Sequence, residues 1–124
     1  MKSLPKIDQT YMLDFLTELL NIPSPTGFTE KAIDYTEQAL RGFPFLSLSH
    51  TRKGALVAIW PGEDSTAPRG VTAHVDTLGA MVKEIKSNGR LKLTRIGGFP
   101  WNTVEGEGCT VFTRAGDQIR GSLL

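Results

Sequence analysis

One histidine and one aspartate carry most of the chemistry this sequence offers. His74 and Asp76 stand two residues apart in Ala73-His-Val-Asp76, where the apolar run Val71–His74 ends. In an extended chain, residues i and i+2 project to the same side. Both side chains can therefore reach one site beyond the carboxyl end of a strand, which is where open α/β sheets bind ligands. Neutral imidazole is the commonest protein ligand for zinc-like metals. The aspartate has two roles open to it. It can accept a hydrogen bond from the other ring nitrogen and so fix the tautomer, or it can bind a metal directly. The plain alternative is a strand-end histidine beside an aspartate that starts a turn, because His-x-Asp is short and matches by accident often.

No other residue competes with this pair. His50 lies among polar residues before a turn, in Ser47-Leu-Ser-His-Thr-Arg-Lys-Gly54, and reads as exposed. Cys109 has no neighbouring base to activate it and reads as a small buried hydrophobe. Ser24 sits between two prolines with no local histidine or aspartate, so serine nucleophile chemistry has no support. Gly106-Glu-Gly108 lacks the third glycine and following helix of a dinucleotide fingerprint. Trp101 reads as an anchor for a glycine-rich loop. Lys83, Lys86, Arg90, Lys92 and Arg95 read as one solvated face of a hairpin.

The bulk numbers bound what such a site could serve. The 124 residues suit one small domain or a piece of a larger one. At 40% hydrophobic and 22% charged, the chain is of ordinary globular composition. A formal net charge of +1 gives no electrostatic reason to expect nucleic acid or an anionic membrane as partner. No apolar run approaches a membrane span, and Pro5, Lys6 and Asp8 interrupt any signal-peptide core. One cysteine excludes an internal disulfide framework. Cytoplasmic residence is the expectation.

Two helices, then strands, must position the pair. Met12, Phe15, Leu16, Leu19 and Leu20 recur at helical spacing, which predicts a helix over about residues 8–20, capped by Asp8 or Thr10. The prolines of Asn21-Ile-Pro-Ser-Pro-Thr-Gly27 force a loop. A second helix is expected over 28–41, with Gly42 at a C′ position of positive φ and Pro44 blocking continuation. The period then changes to two. Strands are expected at 45–51, 55–60, 71–74, 78–85, 91–96, 111–113 and 118–123, with hairpin turns at Ser87-Asn-Gly89 and Ala115-Gly-Asp117. The character shifts near Gly79, from an α/β layer to short strands with tight turns.

The order of motifs carries a resemblance. Leu19-Leu-Asn-Ile-Pro-Ser-Pro-Thr-Gly27, Arg52-Lys-Gly-Ala-Leu-Val-Ala58, Ala73-His-Val-Asp-Thr-Leu-Gly-Ala-Met-Val-Lys-Glu-Ile85, Gly89–Gly98 and the terminal Ile119-Arg-Gly-Ser-Leu-Leu124 follow one another. Together they resemble the N-terminal part of metallopeptidase family 42. That family includes glutamyl aminopeptidases and the self-compartmentalising tetrahedral aminopeptidases. The Thr-Leu-Gly form, with Thr110-Val-Phe-Thr-Arg-Ala-Gly116, looks most like a branch linked to the osmoprotectant N-acetylglutaminylglutamine amide. The resemblance implies an α/β fold. Residues 1–78 would begin a mixed-sheet zinc-peptidase catalytic domain, and residues 79–124 would begin an inserted PDZ-like β-barrel that mediates dimerisation. It implies two divalent ions, zinc or cobalt, with His74 as a metal ligand and Asp76 as the catalytic-site residue holding its imidazole. It implies small peptides as substrates and a homo-oligomer formed through the barrel. Family members usually carry Glu where this chain has Thr77, and Asn where it has Ala55. The remaining ligands and the catalytic glutamate would lie beyond Leu124, so the chain reads as a fragment that is inactive alone. Two other readings stand beside this one: an oligomerisation or binding module, and a deacylase or carboxypeptidase of the same clan.

Overall fold

Asp8 opens the helical part of the chain. In the computed structural model, which describes residues 6–124, its carboxylate accepts from the Tyr11 amide at 3.0 Å and caps helix α1, Gln9–Leu20. Helix α2 spans Glu30–Arg41. It begins two residues later than the apolar pattern predicts, because the Phe28 amide is held by the Pro25 carbonyl at 2.8 Å in a turn. Its other end corrects a second expectation. Gly42 has φ −65°, an ordinary helical value, so positive φ is not how this helix stops. The chain turns off through Phe43, whose amide bonds the Leu40 carbonyl, and Pro44 then bars a further turn. The two helices meet where the Phe15 and Tyr35 rings stack at 5.1 Å and the Tyr35 hydroxyl donates to Glu18 at 2.8 Å.

Three antiparallel hairpins follow. Strand β1, Ser47–His50, pairs with β2, Leu56–Ile59. Strand β3, Gly79–Ile85, pairs with β4, Leu91–Ile96, with a bulge between Val82 and Glu84. After a 3₁₀ turn at Trp101–Thr103, β5, Gly108–Phe112, pairs with β6, Gln118–Ser122. The Asn-Gly signal holds: the Gly89 amide bonds the Lys86 carbonyl and Gly89 takes φ 80°, which other residues resist. Among the described residues the hairpins remain three separate two-stranded sheets.

Val71–His74 does not form the expected strand. Residues 71–76 have no regular structure, and the run gains a ladder contact only at Thr77, in a single parallel bridge to Pro25. A strand exists by pairing, and no described segment lies alongside 71–74 to pair with it. The apolar core is correspondingly small. Ala32 is the one fully buried apolar residue among those described, and the stripe of α1 stays open, with Met12, Leu16 and Leu20 about half exposed or more. Total exposed surface is 10996 Å², where a folded monomer of this mass exposes about 6,600 Å².

Candidate metal centre

The site is built by docking one loop against residues 74–79. The Thr77 amide donates to the Ser24 carbonyl at 2.7 Å, and Pro25 and Thr77 form the parallel bridge. Pro25 also packs flat on Gly79. A Cβ at that glycine would lie 2.6 Å from the Pro25 Cβ, so only glycine allows the approach. The loop then turns at Gly27, φ 90°, into Phe28, whose ring meets Phe112 of β5 at 5.3 Å. Thr26, between these anchors, is thereby held over Asp76.

Asp76 is gripped from both sides. Its Oδ2 accepts from the Thr26 hydroxyl at 2.8 Å and its Oδ1 lies 2.9 Å from His74 Nδ1. The Thr26 hydrogen bond, then the one to His74, hold its carboxyl below the usual aspartate range. It is therefore ionised at neutral pH and can only accept. The proton of the contact must sit on His74 Nδ1. In the neutral ring this leaves the lone pair on Nε2, and the imidazole is 83% exposed, so Nε2 is open to a ligand. This is the carboxylate–histidine pairing that orients metal-ligating imidazoles. Each carboxylate oxygen thus holds one hydrogen bond, and rotating Asp76 away from His74 would break both.

One ligand does not make a centre. Among the described residues no three His, Cys, Asp or Glu side chains converge. A divalent metal therefore fits His74 as one donor, with the rest of its shell to come from elsewhere. A groove of about 540 Å³ lies between α1 and α2 against Tyr11, Phe15, Tyr35 and Phe43, and His74 and Asp76 do not line it.

The other candidates lie outside this pair, and Cys109 is not buried as its residue type suggests. His50 Nε2 lies 3.3 Å from Glu37 of α2, a peripheral polar contact. Cys109 is free and half-buried on β5. Lys92 approaches Glu84 at 3.9 Å across the β3–β4 hairpin, and Arg95 reaches the Phe99 carbonyl and sits over its ring. Trp101 packs edge-on against Phe99 at 5.6 Å. Thr26 is the residue that pattern reading missed. It lies 50 residues from Asp76 in sequence, and no local spacing signals such a contact. Ser24 is fully buried and its hydroxyl has no partner among the described residues.

Residues 54–124 match the family model for M42 glutamyl aminopeptidases. The chain belongs to this family. Over 112 residues it is 47% identical to "Putative aminopeptidase YhfE" of Bacillus subtilis (strain 168), covering 90% of this chain and 32% of the relative. It is 28% identical over 109 residues to the glutamyl aminopeptidase of Lactococcus lactis subsp. cremoris (strain MG1363), covering 87% and 30%. The M42 chain thus spans about a third of the curated relatives it matches. Its fold superposes on the TET aminopeptidase of Thaumarchaeota archaeon SCGC AB-539-E09 with TM-score 0.77 at 21% identity, covering 94% of this chain and 32% of that one. PhTET1-12s, solved as a dodecamer, gives TM-score 0.72 at 22% identity over 90% and 32%. The M42 chain is thus a mixed helix-and-strand segment whose counterpart recurs within larger aminopeptidases.

Proposed function

We propose that this chain supplies one arm of the dinuclear metal centre of an aminopeptidase that removes N-terminal residues from small peptides. His74 is a metal ligand through Nε2, and Asp76 fixes its ring through Nδ1. The observation that supports this reading is the Asp76 carboxylate, ionised and engaged on both oxygens, with the open Nε2 on the far side of the imidazole. Two divalent ions, zinc or cobalt, would supply water activation and charge stabilisation at the peptide carbonyl. The chain's own part is to set the direction and tautomer of one donor. With His74 as the one imidazole at the site and no cluster of further His, Cys, Asp or Glu around it among the described residues, the chain alone is inactive.

The same reading divides the chain at residue 78. Residues 1–78 begin the catalytic layer and 79–124 begin an inserted β-barrel. The hairpins β3–β4 and β5–β6, with their tight glycine turns, are the supporting features. Cytoplasmic residence belongs to this reading too. Among the described residues no helix is long and apolar enough to cross a membrane. The test is hydrolysis of aminoacyl-p-nitroanilides, with zinc or cobalt, by YhfE in which the matching third is replaced by this chain. Activity is expected, and His74→Ala should reduce it at least 100-fold. A chimera that folds and is inactive with every metal and peptide tried would contradict the proposal.

A second reading, an assembly module, is favoured by the surplus surface. Tyr11, Met12, Leu13, Leu16 and Leu20 on α1, and Met81, Val82 and Ile85 on β3, are exposed apolar residues, apolar surface that association with another chain would cover. The β3 and β6 edges are unpaired among the described residues, which leaves strands ready to add to another chain. Both readings hold together if assembly completes the metal centre.

A further inference from the structure

We infer that Thr26 is a positioning residue for the metal site, acting through Asp76 on His74; this rests on the proposed role of His74 as a ligand. Three groups form one hydrogen-bonded line. The Thr26 hydroxyl donates to Asp76 Oδ2 at 2.8 Å, and Asp76 Oδ1 accepts from His74 Nδ1 at 2.9 Å. A carboxylate on a short side chain swings about χ1 and χ2, and a single contact to an exposed imidazole does not stop it. The Thr26 bond fixes the second oxygen and with it the plane of the group. Thr26 is itself placed by backbone, not by chance rotamer choice. The Ser24 carbonyl is bonded to the Thr77 amide, Pro25 is seated on Gly79, and Gly27 takes the turn at φ 90°. The loop that leaves α1 is thus keyed to the backbone immediately after Asp76, and its one hydroxyl facing the site sits on the oxygen that His74 leaves free.

This occupancy also keeps Asp76 in one role. An aspartate with a free oxygen beside a metal can turn and ligate it. With Oδ2 held by Thr26 and Oδ1 by His74, Asp76 keeps to orienting the imidazole. The hydroxyl is the group required, so serine should serve at this position and valine, of the same shape, should not.

The experiment reads the His74 tautomer in the metal-free protein by long-range ¹H–¹⁵N correlation, at mildly alkaline pH where imidazoles are neutral. The wild-type ring should be predominantly the Nδ1–H form. Thr26→Val should lower the ratio of Nδ1–H to Nε2–H about three- to tenfold, the scale of one ordinary hydrogen bond, because the loss reaches His74 only through Asp76. Thr26→Ala should behave like Thr26→Val, and Thr26→Ser should return the wild-type ratio. Backbone amide spectra that overlay away from residues 24–28 and 74–79 show that the variants keep the fold. If Thr26→Val unfolds the chain, the Ala and Ser variants carry the same contrast. A ratio unmoved by both Thr26→Val and Thr26→Ala, or moved equally by Thr26→Ser, overturns the role of Thr26. Asp76→Asn separates the two layers of the argument. If it shifts the tautomer while the Thr26 variants do not, the positioning role falls and the Asp76–His74 reading stands. If it also leaves the tautomer unchanged, the site reading itself fails.

Discussion

At the scale of single residues, the site turns on which nitrogen of His74 carries the proton. The 2.9 Å contact to an ionised Asp76 puts it on Nδ1 and leaves Nε2 to bind. Asp76→Asn keeps the shape of that contact but lets the amide nitrogen compete for it. The metal affinity of the YhfE chimera should fall about 10- to 100-fold, as measured by competition with a chromophoric chelator; affinity within a factor of two of the parent would count against the orienting role. Ser24 offers the opposite expectation. It is a buried serine next to the site, yet its hydroxyl bonds nothing among the described residues, and an unpaired buried hydroxyl costs stability. Ser24→Ala should leave hydrolysis by the chimera within about twofold and the melting temperature equal or higher. A large loss of activity would show that the hydroxyl does chemistry. His74 and Asp76 were legible in the sequence because their partnership is local, two residues apart. Thr26 was not, because a contact across 50 residues leaves no periodic trace.

At the scale of elements, the loop between α1 and α2 depends on glycine at one point of the docking surface. Gly79→Ala would force its Cβ to 2.6 Å from Pro25. The loop must then lift, and the expected cost is about 1–3 kcal/mol, read as a lower denaturant midpoint, together with a lost Thr26–Asp76 bond. An alanine variant as stable as the parent would show that the loop is not seated as described. The helices and hairpins were readable because amphipathic period and turn chemistry are local. Asp8 caps α1 and Asn88-Gly89 turns β3 into β4, as their residue types require. Two local features misled. Gly42 looked like a left-handed cap, but Phe43 and Pro44 end α2 without one. Val71–His74 looked like a buried strand, but a strand needs a neighbour to pair with, and its apolar run says nothing about whether one is present.

At the scale of the whole molecule, the surface is the decisive quantity. The chain exposes 10996 Å², far above the figure of about 6,600 Å² for a folded monomer of its mass. Apolar residues on α1 and β3 make up part of the excess. In sedimentation or light scattering the protein should associate as its concentration rises, and a compact monomer at high concentration would contradict the assembly reading. Family membership was legible from motif order, since Ile22-Pro-Ser-Pro-Thr-Gly27 and His74-Val-Asp76 are brought together in space as well as in sequence order. The most direct test of the account is a crystal structure of the YhfE chimera grown with zinc, with anomalous scattering at the metal edge. A metal is expected about 2.0–2.1 Å from His74 Nε2, with Nδ1 still facing Asp76 and no Asp76 oxygen in the coordination shell. A metal bound without His74, or bound by Asp76 in its place, would contradict it.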